Sequence, residues 1–199
     1  MLHTLDQQGR TTWATSIREL LYKYGFHDVW EAQGVENVNA FLREFVYSVK
    51  QQYILEWQYN IDQSSKLSLY RMLNVECDEV QPYLHILDLK YYRSGLAQLR
   101  CSTHNLRIEK GRHSSQLMAD RICELCQKTD KYILEDEYHF VCCCPSYSEL
   151  RLKYLADCIT DGSYENFLVL LNEIDERIVK NLASFIFQAN KKRKTLLES

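Results

Sequence analysis

Apolar positions recur along most of the chain at three- and four-residue intervals, the period of a helix with one buried face. Trp13, Ile17, Leu20, Leu21 and Tyr24 predict a first helix, capped by Thr11 or Thr12 and stopped by Gly25. A short helix over Asp28 to Gln33 would end at Gly34. Phe41, Phe45, Val49, Tyr53 and Trp57 then repeat every four residues, with Leu42, Val46 and Ile54 beside them. They predict a long helix opening at Asn37 or Asn39 and running to about Asp62. A further turn or two is expected over Ser65 to Leu73. Asp78 can cap a segment from Val80 to about Arg100, with Pro82 in its first turn, where a missing N–H costs little.

The periodicity lapses from Cys101 to Asp120, where Ser, Thr, Asn, Gly and His accumulate, and a loop or short extended piece is expected. Gly111 would permit a positive φ there. Helical spacing resumes at Pro145 to about Asp157, near Tyr164–Leu171, and over Asp175–Lys192. The fold class is therefore mainly α: a helical domain, a small cysteine-rich segment, then C-terminal helices. The expected division is 1–100, 101–160 and 161–199, with a soft boundary near 101–120. Trp13, Trp30 and Trp57 read as core anchors.

Composition supports helices. Apolar residues make up 46 % of the chain, and there are only two prolines and six glycines. The N-terminus is polar and no apolar run approaches membrane-span length. An intracellular protein of the nucleus or cytoplasm, away from the membrane, is expected. In that setting eight cysteines read as thiols or metal ligands rather than as disulfides.

Four positions have ligand spacing. Two residues separate Cys123 from Cys126, twelve separate Cys126 from His139, and four separate His139 from Cys144. A two-residue spacing lets one turn present both sulfurs, and the second pair returns to close a tetrahedron around one structural Zn2+. Cys142 and Cys143 are alternatives to Cys144, which has the longest reach from His139. A thioredoxin-like use of the first pair would want a βαβ setting, and the surroundings are helical. Cys77, Cys101 and Cys158 lack partners at ligand spacing and read as buried apolar residues.

The net charge of −3 excludes a polycationic binder, but the charge is uneven. From Lys90 to Arg121 seven basic residues stand against two acids. Arg100, His104, Arg107, Lys110, Arg112 and Arg121 are the candidate nucleic-acid contacts, with Arg100, Arg107 and Arg112 foremost for phosphate. Tyr91 and Tyr92 lie nearby, and aromatic faces stack on unpaired bases. The run Lys191–Lys194 reads as a solvated helix end, where cations suit the dipole, or as a nuclear-targeting signal.

A resemblance rests on these residues: Leu99–Arg100, His104–Asn105–Leu106, Ile108 to Arg112, Arg121–Ile122–Cys123–Glu124–Leu125–Cys126, Glu135 to Phe140, and Cys144–Pro145–Ser146–Tyr147 with Leu150–Arg151. This stretch resembles the region downstream of the polymerase in non-LTR (LINE-type) retrotransposon reverse transcriptases, where such residues form a zinc knuckle. Trp13–Ala14, Gly25–Phe26, Val29–Trp30, Trp57 and Lys66–Leu67 with Tyr70 are similar to that family's post-polymerase linker. The likeness covers about residues 12–155. It implies binding of RNA or DNA and possible association with a polymerase domain. It implies no catalysis here: the paired aspartates that hold the polymerase's metal ions are missing, and no Asp–Asp pair occurs in the chain. The other reading is a zinc-stabilised helical scaffold for protein–protein contact. No nucleophilic triad, phosphate loop or open zinc site argues for an enzyme.

Overall fold

The computed structural model describes residues 4, 12–73, 75–77, 79–159 and 162–198. It is mainly α, with helix over about 68 % of its length. Among the described residues the only β feature is an isolated antiparallel bridge between Ile122 and Leu134. None of the described helices is long and apolar enough to cross a membrane. Two compact units divide between Asn60 and Ile61.

The first unit holds α1 (Trp13–Lys23), α2 (His27–Ala32) and most of α3 (Val38–Gln63). Thr12 caps α1: its hydroxyl accepts from Thr15 N, and the Thr15 hydroxyl accepts in return from Thr12 N. The alternative cap, Thr11, lies outside the described residues. Gly25 ends the helix at φ +84°, a conformation that favours glycine. The end of α2 differs from expectation by one residue, because Gln33 rather than Gly34 takes the left-handed position. Asn37 Oδ1 accepts from Ala40 N at 3.0 Å, which makes Asn37 the cap of α3. Ala14, Leu21 and Trp30 form a small core, edged by Phe26, Phe41 and Phe45. Trp13 is 61 % exposed and is not a core anchor, and Trp57 is half-buried.

The second unit contains α4 (Ser68–Met72), α5 (Tyr83–Ile86), α6 (Lys90–Arg100), α7 (Arg107–His113), α8 (Glu124–Gln127), α9 (Ser148–Tyr154), α10 (Tyr164–Leu171) and α11 (Glu176–Glu198). The segment expected from Val80 to Arg100 is two helices. The chain extends through Leu87 and Leu89, and Leu87 drops fully into the core. The proposed cap Asp78 lies outside the described residues. Arg107–His113 is helix, not the expected loop, and Gly111 sits inside it. A Cβ on Gly111 would lie 2.6 Å from Arg121 Cγ, so this glycine allows close packing, not a turn. Pro145 opens a 3-10 turn that leads directly into α9. Ser163 caps α10 by accepting from Asn166 N.

The boundary expected near 101–120 does not divide the core. Leu96 and Leu99 of α6, Cys123, Phe140 and Cys144, and Leu182, Phe185 and Ile186 of α11 belong to one buried cluster. The main helix pairing is α6 against α11. One buried ion pair ties the cysteine-bearing segment to α11. Arg193 grips Glu135 with both terminal guanidinium nitrogens, Nη1 to Oε1 and Nη2 to Oε2, the latter at 2.9 Å, and both side chains are almost fully enclosed. Glu135 Oε2 also accepts from Arg107 N at 2.8 Å, which anchors the start of α7. Arg193, expected on a solvated helix end, is thus a core residue. We expect Arg193→Ala to destabilise this unit by about 3–5 kcal/mol in urea unfolding, because it leaves the Glu135 carboxylate buried without its partner.

Candidate metal centre

The first ligand pair sits on a tight hairpin. Cys123 N donates to Ile133 O at 2.8 Å, and Glu135 N donates to Arg121 O at 2.9 Å. The chain leaves Cys123 directly into α8, so Cys126 returns one turn later on the same side. The Cys126 carbonyl then collects Thr129 N, Lys131 N and the Thr129 hydroxyl. Asp130 completes the reversal at φ +55°, a conformation that Asp tolerates better than most residues.

The second pair is set by a π-helical turn, His139–Cys143. Asp136 Oδ1 accepts from His139 N at 2.7 Å and starts the turn. Cys144 N donates to His139 O at 2.8 Å, a five-residue closure that brings His139 and Cys144 to the same side. Pro145 favours extended backbone at Cys144, which has ψ 120° and ends the turn. Arg151 holds the outgoing carbonyl, with Nη2 donating to Cys144 O. This turn selects among the three adjacent thiols: Cys143 is exposed, Cys142 is half-buried, and Cys144 is enclosed.

Cys123, Cys126, His139 and Cys144 are all buried, and their ligand atoms lie within 4.8 Å of one another. Cys126 Sγ is 3.8 Å from Cys144 Sγ and 3.4 Å from His139 Nε2. With metal–sulfur bonds of about 2.3 Å, a tetrahedron has sulfur–sulfur edges of about 3.8 Å. The geometry therefore fits one tetrahedral ion, bound by three sulfurs and His139 Nε2. Packed this closely, the thiols resist ionising together. A hydrogen bond to Cys144 and burial push Cys123 up, burial chiefly pushes Cys126 up, and the hydrogen bond from Cys123 draws Cys144 down. A cation at the centre reverses that balance by neutralising the sulfurs it touches. Four protein ligands leave no coordination position for a substrate. His139 Nδ1 is buried with no hydrogen-bond partner among the described residues.

A second polar cluster supports the turn. Leu106 N donates to His104 Nδ1, so Nε2 carries the proton that Glu137 Oε1 accepts at 2.8 Å. Ser102 Oγ donates to the same oxygen at 2.7 Å. Burial alone would raise the Glu137 pKa, but these two donors hold it below the usual carboxylate range.

The structure distributes the six candidate nucleic-acid residues unevenly. Arg100 is buried and stacked 5.3 Å from the Tyr83 ring, and it donates to Leu171 O and Gln81 Oε1. His104 is enclosed against Glu137. Phosphate contact by these two is corrected to an internal role, since their donors are already bonded inside the protein. Arg121 reaches back to Ile108 O and Gln116 O, both at 2.9 Å. Arg112 forms a two-pronged contact with Glu109, and Arg107 pairs with Glu124 at 3.1 Å. Lys110 is exposed, with no ion pair among the described residues. The stretch is basic in sequence, but most of its charge is bonded within the fold. The residues that sequence reasoning missed are Asp136, Glu135, Arg151 and Arg193. Asp136 stood three positions before His139, the spacing of a cap, and so was detectable; Arg151 reaches back seven residues to the Cys144 carbonyl, with no local motif to announce it, and Glu135 and Arg193 meet across 58 residues.

Comparison with protein-family models, with curated proteins and with solved structures gives no match.

Elemental analysis of the purified chain is expected to find close to one metal equivalent in Cys142→Ser and Cys143→Ser. Cys144→Ser should lose most of the metal and lower the melting temperature of the second unit. Equal metal content in all three variants would contradict the assignment.

Proposed function

We propose that this chain is a zinc-stabilised nucleic-acid-binding accessory module, of the kind found downstream of the polymerase in non-LTR retrotransposon reverse transcriptases, with no catalytic site of its own. The observation that carries the reading is the buried, closed set of three cysteines and one histidine. Three thiolates and an imidazole in a tetrahedron suit zinc above other common ions. Bound there, zinc supplies four bonds that fix the backbone.

The chain's own residues do the rest. The Cys123–Cys126 hairpin and the His139–Cys144 turn are joined at the centre. Glu135 and Arg193 connect the same hairpin to α11. The result is a rigid platform whose exposed cations can meet a phosphate backbone. The motif residues Cys123, Cys126, His139, Cys144, Pro145 and Tyr147 support the retrotransposon likeness, and the lack of an Asp–Asp pair argues against polymerisation by this chain.

The scaffold reading has its own observation. The first unit exposes Leu42, Val46, Tyr53, Leu55 and Tyr59 along α3, and a groove of about 300 Å³ lies between Leu21, Trp30 and Phe41. Such faces suit a protein partner, of which a polymerase domain is one. Both functions can occupy one chain, since they use different units.

Fluorescence anisotropy with labelled RNA and DNA oligonucleotides tests the nucleic-acid reading. Binding should weaken by tens of fold between 50 and 200 mM salt for about four phosphate contacts, and it should fall when the metal is removed by a chelator. No binding at low salt, together with self-association in light scattering, would leave the scaffold reading in its place.

A further inference from the structure

We infer that the outward stripe of α11, together with Tyr91 of α6, is a surface for single-stranded rather than duplex nucleic acid; this rests on the nucleic-acid reading above and gives it a location and a substrate class. The stripe is not the basic stretch that the sequence favours.

Phe187, Lys191 and Lys194 follow one another at spacings of four and three, so they share one face over about 10 Å of helix. All three are exposed, while Val179, Leu182, Phe185, Ile186, Ala189 and Arg193 fill the opposite face. The packing of α6 against α11 brings Tyr91 to Phe187, with ring centroids 4.8 Å apart and planes inclined at 40°. Tyr92 closes the inner side, 5.7 Å from Phe187 and edge-on to it. Tyr91 remains 47 % exposed and Phe187 36 %, so the pair presents ring surface to solvent. Lys90 adjoins Tyr91 at the exposed start of α6.

Lys90 and Lys191 have no ion-pair partner among the described residues. Lys194 faces only Glu198 at 3.9 Å, an exposed contact that a phosphate can displace. Cations flanking an exposed aromatic pair match two chemistries at once, the phosphate backbone and the flat face of a base. A duplex hides its base faces in the stack, so the aromatic pair can engage only unpaired bases. The chain's net charge of −3 makes the local cations, not a global field, responsible for attraction. An acidic peptide would satisfy the lysines but would leave the ring faces without a flat partner.

The test uses the full metal-loaded chain with three probes: a 15-nucleotide oligo(dT), a 15-nucleotide oligo(U) and a 15-base-pair duplex. Anisotropy should give single strands at least about tenfold tighter than duplex, with Tyr91→Ala losing about tenfold on single strands alone. Lys191→Glu with Lys194→Glu should weaken binding and reduce the salt slope by about 1.4, or about 0.7 for each lost single-strand phosphate contact. Both positions are exposed, and unchanged thermal melting will show that the variants are folded. Lys191→Gln, with the smaller expected loss, covers failure of the double variant. Duplex binding as tight as single-strand binding overturns the inference and leaves the nucleic-acid reading intact. So does loss of binding in Lys110→Glu while the Tyr91 and Lys191 variants bind normally. Failure of every probe to bind at 50 mM salt overturns both.

Discussion

Four ligand atoms from two distant pieces of chain converge within 4.8 Å, and the second unit is organised around that requirement. Each piece is shaped for it locally. The hairpin closes through main-chain bonds on either side of Cys123, and the π-helical turn takes one more residue per closure than an α-helix would. An α-helical turn would place Cys143 under His139, where the observed turn places Cys144. The surrounding core then seals the site, with Phe140 against Tyr147 and Phe185. Burial of four ligands without a gap favours a structural ion over a reactive one.

Buried polar groups extend that rigidity outward. Glu135 joins the hairpin to α7 and α11, while Glu137 joins the π-helical turn to Ser102 and His104. Arg100 binds the end of α10 and Arg121 binds the start of α7 through backbone carbonyls. A guanidinium can satisfy several carbonyls at fixed angles, which a lysine ammonium does less well. This explains why the arginines near the centre are internal and the lysines stay outside.

The first unit follows a different logic. Its core is small, built on Ala14, Leu21 and Trp30, and much of its apolar surface faces outward along α3. Phe26 packs edge to face on Phe41 and at a tilt on Phe45, which ties the link between α1 and α2 to the start of α3 without covering the rest of α3.

The sequence by itself determined the mainly helical class, the helix starts to within a residue or two at Thr11 or Thr12 and at Asn37 or Asn39, the start at Pro145, and the ligand pattern of Cys123, Cys126 and His139. Caps, breakers and ligand spacing act over a few residues, so they are legible in one dimension. Tertiary structure alone decided that Cys144, and not Cys142 or Cys143, is the enclosed thiol, that Leu87 breaks a helix, that 107–113 is helical, and that Arg193 is buried. Each of these depends on a partner far along the chain: a shared ion site, a common core or the Glu135 carboxylate. The same cause explains the basic stretch. Sequence counts its charges, but only the fold shows which of them already have a partner.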